Sequence, residues 1–181
     1  MTALELVRHF AMRPHPEGGF YVETYRSSGI IPGSALPAGY TGSRNYSTAI
    51  LFLLRQGEYS RLHRIRQDEI WHFHLGGPLR LACIAPDGQN EERLLGMDIG
   101  NGQLLQSVVR AGCWFGATPA PGADFALVGC TVAPGFDFAD FEMRHAAELE
   151  ALFPSAHACI REFGVRPQEK VEASPVSNQF D

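Results

Sequence analysis

The chain has 181 residues, 45% apolar and 19% charged, with a formal net charge of -5 and an isoelectric point near 5.8. That length fits one domain with a substantial core, and the acidic balance excludes a general nucleic-acid-binding surface because nothing offsets phosphate repulsion. Schiff-base chemistry on a core lysine is excluded too, since fourteen of the fifteen basic residues are arginine and Lys170 lies in the polar tail.

Met1-Thr2-Ala3-Leu4-Glu5 lacks the basic start and apolar stretch of a signal peptide, and no apolar run reaches bilayer-spanning length. A cytoplasmic protein without a membrane partner is expected. Cys83, Cys113, Cys130 and Cys159 are widely spaced, with no C-x2-C pair, which predicts reduced and mostly buried thiols.

Ala3, Leu6, Val7 and Phe10 recur at helical spacing behind Thr2, a good N-cap, predicting a short helix within residues 2–12. Pro14 to Gly19 reads as loop, where His15 and Glu17 are candidates for a cavity mouth and a solvated turn is the plainer alternative. Phe20 to Arg26 alternates as a strand, with Tyr21, Glu23 and Tyr25 on one face. Residues 27–45 are rich in Ser, Gly, Pro and Ala, as expected of a lid or a dimer arm. Thr48 to Leu54 is continuously apolar, as in a strand buried on both faces or at a subunit interface.

Residues 59–65 and 69–75 then alternate as two adjacent strands joined by Arg66, Gln67 and Asp68. Arg61, His63 and Ile65 share one face of the first; on the second, Glu69, Trp71 and Phe73 oppose Ile70, His72 and His74. Further strands are predicted at Leu79 to Ala85, around 93–98 and 104–110, at Trp114-Phe115, and at Phe125 to Val132, with turns about every ten residues, the cadence of a sandwich or barrel. Phe136, Phe138 and Phe141 suggest an edge strand with a buried aromatic face in preference to the alternative, a binding platform. A helix over 145–153 stops at Pro154, Ser155 can cap another that buries Ile160 and Phe163, and the polar stretch from Val165 predicts disorder.

The spacing Gly57-x5-His63-x-Ile65-x3-Glu69-x6-Gly76 resembles the first motif of the cupin superfamily, G-x5-H-x-H-x3-E-x6-G, with isoleucine at the second histidine. The phrases His15-Pro16-Glu17-Gly18-Gly19, Ser60-Arg61-Leu62-His63-Arg64, Asp68-Glu69-Ile70-Trp71-His72-Phe73 and Val132-Ala133-Pro134-Gly135-Phe136 resemble one functionally uncharacterised group, cupin 5. The resemblance covers roughly residues 4–155. It implies an all-β double-stranded β-helix, a jelly-roll barrel with short flanking α-helices, as a single domain over 1–164 followed by a tail over 165–181.

The resemblance also bears on metal. A metal-dependent cupin uses two histidines and a glutamate from the first motif and a third histidine from the second; here Ile65 and, in the loosely matching stretch Arg110 to Phe115, Phe115 occupy two of those places. No cofactor is therefore expected. A divalent metal would need His63 and Glu69 with His72 or His74.

The expected function is a metal-independent cupin that binds a polar or anionic small molecule of sugar or nucleotide type and performs epimerase- or isomerase-like proton transfer. His63 is the candidate base, with Glu69 or Tyr21 holding its tautomer or returning the proton. Glu17, Ser60, Arg61, Trp71 and Phe73 are the candidate ligand contacts: Arg61 clamps an oxyanion, and the resemblance directs the two aromatic rings to the barrel mouth. The alternatives are a metal-dependent oxygenase, isomerase or lyase with a reduced ligand set, and a non-enzymatic ligand-binding or structural cupin. For His63 and Glu69 the bland alternative is a buried ion pair, and for His72 and His74 it is packing between sheets. A homodimer is expected, with no nucleic-acid polymer as partner.

Overall fold

The computed structural model of the protein describes residues 1–166. In chain order the elements are α1 (Ala3–His9), β1 (Arg13–Pro14), β2 (Phe20–Arg26), β3 (Ile30–Ile31), β4 (Arg44–Asn45), β5 (Thr48–Arg55), β6 (Ser60–Arg64) and β7 (Asp68–Gly76). There follow β8 (Leu79–Ile84), β9 (Asn90–Leu95), β10 (Gln106–Val109), β11 (Trp114–Pro119), β12 (Phe125–Ala133), β13 (Glu142–Met143), α2 (Ala146–Leu152) and α3 (His157–Phe163).

Two antiparallel sheets form the body: β1-β2-β5-β12-β7-β10 and β13-β6-β11-β8-β9. The jelly roll implied by the motif resemblance, and consistent with the turn cadence, is the observed fold. The inner faces meet in one core that includes Phe52, Leu54, Trp71, Phe73, Leu81 and Phe115. Each such side chain, taken fully out of water, contributes roughly 1.5–3 kcal/mol. Both outer faces are partly covered. α1, closed by a capping box between Thr2 and Glu5, sets Leu6 on Leu53 and Leu127 of the six-stranded sheet. α2 and α3 bring Leu149, Ile160 and Phe163 against Leu62, Ile84 and Trp114 of the other. α3 starts after Ala156, and Ser155 does not cap it: its hydroxyl donates to the Gly88 carbonyl at 3.1 Å.

Three departures from the sequence reading shape the site. First, β6 and β7 are not neighbours; they lie in different sheets, so their inward side chains meet across the barrel. Second, β6 carries a bulge: Phe115 pairs with His63 but Ala117 pairs with Ser60, which places one extra residue on β6. The bulge breaks the alternation, so Ser60 and His63 both point inward while Leu62 enters the helix layer and Arg61 leaves His63's face. Third, residues 136–141 are not an edge strand. After the cis Ala133-Pro134 bond the chain makes a short 3-10 turn, Phe138–Asp140, held by Asp137 Oδ1 accepting from the Ala139 N–H.

Residues 27–45 fold back on the same barrel. Arg44 and Asp140 are both buried and join through two hydrogen bonds, 2.7 and 2.8 Å, while Gln67 Nε2 donates to the same carboxylate at 2.7 Å. β5 is likewise enclosed between β2 and β12 and capped by α1. The two features behind the homodimer expectation are thus both used within the chain. At the C-terminal end Val165 is buried and bridged to His145, so packing runs past the boundary expected at residue 164. Of the tail predicted over 165–181, residues 167–181 lie outside the described residues.

Candidate functional site in the barrel

A cavity of about 430 Å³ opens at one end of the barrel. His63 and Ile65 reach it from one sheet, and Glu69, Cys130 and Val132 from the other. Tyr21, Glu23 and Arg26 of β2 form one wall, and Phe136, Phe138 and Phe141 form another. Arg13, His15 and Glu17 enter from the stretch before β2.

That stretch is shaped by glycine. Gly18 has φ 110, and a Cβ there would sit 2.1 Å from the Tyr59 carbonyl oxygen, so only glycine lets the loop press against the turn before β6. The Arg61 N–H, released by the bulge, donates to the Glu17 carbonyl at 2.8 Å and fixes the loop from the other side. Glu17 is thereby turned inward and is 6% exposed. Its Oε1 accepts from Ser60 Oγ at 2.9 Å; its Oε2 lies 3.1 Å from His63 Nε2 and 3.2 Å from His15 Nδ1.

His63 therefore has a carboxylate partner, but that partner is Glu17 and not Glu69. Its other nitrogen, Nδ1, is 2.8 Å from the Arg61 carbonyl, which can only accept, so Nδ1 carries a hydrogen. Burial raises the Glu17 carboxyl, but the charges of His63 and His15 and the hydrogen bonds from His15 and Ser60 outweigh it and bring it down to about 2. Burial also pushes the His63 imidazole down, against the pull of Glu17 and the Arg61 carbonyl. The two partners thus compete for one proton. With Nδ1 already protonated, Nε2 faces Glu17 Oε2 at 3.1 Å, a contact that draws a proton between them against the burial that disfavours a charged ring, and the lowered Glu17 carboxyl is the ionised one.

Glu69 is in the opposite state. Burial, and then the charge of Glu17, raise it to about 8 despite a hydrogen bond with the Cys130 thiol. Cys130 itself is pushed well above the usual thiol range by burial and by Glu69. One cavity holds an ionised and a protonated carboxyl group, with His63 paired to the first.

Other expected site residues fall elsewhere. Ser60 is fully buried behind Glu17 and supports it without facing the cavity. Arg61 lies with its guanidinium 5.0 Å over Tyr59 and lines a separate hollow of about 320 Å³; its backbone, not its side chain, serves the site. Trp71 and Phe73 are core residues outside the cavity lining, with Trp71 edge-on to Phe52 and Phe115 at 6.0 and 6.2 Å. Tyr21 does line the wall, edge-on to His15 at 4.7 Å. Arg13, Cys130 and the phenylalanine wall complete the lining, and no periodicity singles them out.

The four-ligand metal set does not fit. Ile65 lines the cavity where one ligand would project, and the Phe115 ring lies 4.1 Å from that of His63 at another. His72 cannot be recruited: it sits on the outer face, bonded to Gln106 at 2.9 Å and near Thr131 Oγ1 at 3.3 Å. His74 shares that face and is exposed. Among the described residues no three His, Cys, Asp or Glu side chains are arranged to hold a metal ion. Nor, among them, is any helix long and apolar enough to cross a membrane.

The family model Cupin_5, described as Cupin superfamily (DUF985), matches residues 4–144. The chain is a Cupin_5 protein. A solved structure of a Leishmania major protein, described as hypothetical, superposes on it with TM-score 0.83 at 33% identity, covering 91% of this chain and 99% of that one. Protein SO0799 from Shewanella oneidensis gives 0.81 at 36% identity, covering 92% and 99%. Uncharacterized protein YML079W of Saccharomyces cerevisiae is 30% identical over 127 residues, 67% of this chain. That match spans 63% of the yeast protein, less than two thirds of its length. These likenesses leave the ligand open.

Proposed function

We propose that this Cupin_5 protein binds a small polar organic molecule in the barrel and transfers a proton on it, as an isomerase or epimerase does, without a resident metal. The observation that carries the reading is the pair of buried carboxyl groups in one cavity with opposite protonation states. Glu69, raised to about 8, is protonated at neutral pH and suits a proton donor working near that pH. The Glu17–His63 couple, holding one proton between them, is the acceptor: a proton from the ligand leaves Glu17 neutral and His63 charged. His63 thus acts through Glu17, since its own nitrogens face Glu17 and the Arg61 carbonyl. A volume of about 430 Å³ favours a ligand of monosaccharide size over a nucleotide sugar.

The test is exchange in heavy water. Aldoses, ketoses, uronates and 2-hydroxy acids are incubated with the protein, and proton NMR follows the C–H beside the carbonyl. One class is expected to exchange, about 10²–10⁴-fold more slowly with Glu69→Gln. Binding by calorimetry without exchange in any class would leave a non-enzymatic binding cupin; neither binding nor exchange would overturn the reading.

A further inference from the structure

Two guanidinium groups reach the cavity mouth, and they differ in what they hold. Arg26 has four of its five N–H groups engaged: Nε and Nη2 donate to the two oxygens of Glu23 at 2.9 and 2.6 Å, and Nη1 donates to Asn45 Oδ1 at 2.9 Å and to the Phe136 carbonyl at 3.2 Å. The Arg13 side chain, by contrast, makes no hydrogen bond or ion pair among the described residues. It lies on the face of the Tyr21 ring, with Cζ 4.9 Å from the centroid.

That position is built into the strand pairing. β1 on β2 sets Arg13 opposite Tyr21, and His15 packs edge-on to the same ring. Stacking uses the face of a guanidinium and leaves its in-plane N–H groups open, the geometry that grips an oxyanion through two parallel hydrogen bonds. The carboxylates in the lining do not compete for it: Glu23 is held by Arg26, Asp137 Oδ1 accepts from the Ala139 N–H at 2.8 Å, and Glu17 is enclosed by Ser60 and its histidines.

We infer that Arg13 anchors a carboxylate or phosphate group of the ligand at the cavity mouth, so that the site takes a small organic anion whose uncharged end extends toward Glu69. This rests on the cavity being the ligand site. It transfers to Arg13 the oxyanion role that sequence spacing assigned to Arg61.

The experiment compares glucose, glucuronate and glucose 6-phosphate, matched in body and differing in charge, on the full chain with isotope-labelled histidine. The imidazole signals of His15 and His63 report entry to the cavity. At least one anion is expected to shift them at about tenfold lower concentration than glucose, as a charge-assisted bidentate contact implies. Arg13→Gln brings that anion to the level of glucose, Arg13→Lys keeps part of the advantage, and the responding anion tells carboxylate from phosphate. If Arg13→Gln leaves the advantage intact, or if neither anion outperforms glucose, the anchor is overturned. The cavity reading would survive that result, because it falls only on the exchange and calorimetry panel.

Discussion

Two buried ionic clusters lie near the same end of the barrel, and they are built for different ends. Around Asp140, Arg44 takes both carboxylate oxygens, Gln67 adds a donor, and Arg44 Nη1 donates to the Thr41 and Ser43 carbonyls at 2.9 and 2.8 Å. Nothing there faces the cavity, and the effect is to pin residues 27–45 and the phenylalanine wall to the barrel. Around Glu17 the partners are histidines and a hydroxyl, groups that can gain or lose a proton, and the cavity lies directly beside them. A buried charge pair marks a site by the titratability and access of its partners, and burial alone does not separate the two cases.

The largest expected effect breaks the structural cluster. Asp140→Ala leaves the Arg44 guanidinium buried without its carboxylate and should cost about 3–5 kcal/mol in urea unfolding. A loss below about 1 kcal/mol, the level of an exposed pair, would remove the contrast between the two clusters.

The next effect sharpens the contrast through pH. Glu69 has a folded value near 8 against 4.5 in the unfolded chain, so in that window the folded state binds the extra proton and stability falls as pH rises. The slope is roughly 1.4 kcal/mol per pH unit, and Glu69→Gln should flatten it while preserving the side chain's shape. Denaturant titrations of both proteins between pH 5 and 8 check this, and parallel curves would show that Glu69 is not held protonated.

The smallest effect concerns the support of Glu17. Ser60→Ala removes one charge-assisted hydrogen bond, costing about 1.5–3 kcal/mol at pH 7. Glu17 is held low, so its contribution exists above 4.5 and is lost as pH falls toward 2, and the Ser60→Ala deficit should shrink over that range. A deficit independent of pH would mean that Ser60 acts by packing.

Much of the fold was legible in the sequence because regular strands write their faces into the residue order. β7 illustrates this as far as Phe73, before its own register shift against β12: Glu69, Trp71 and Phe73 do face inward, and Ile70 and His72 do face outward. β6 was misread at Arg61 because a bulge has no compositional mark; one extra residue reverses the faces on either side of it. The Glu17 and His63 pairing was hidden for a different reason, being a contact between a glycine-shaped loop and a strand far along the chain. The aromatic wall escaped because phenylalanines at positions 136, 138 and 141 fit strand alternation as well as they fit a turn.

The bulge has a consequence for how this protein is read by mutation. Position 61 supplies two atoms to the site, an N–H that holds the Glu17 loop and a carbonyl that fixes the His63 tautomer, and both belong to the main chain. Every substitution except proline, which lacks the N–H, exchanges the side chain and leaves those atoms in place. Tolerance at position 61 would therefore say nothing about its importance, whereas deleting one residue from the strand would rotate the imidazole's neighbours out of the barrel and rewire the site in a single step.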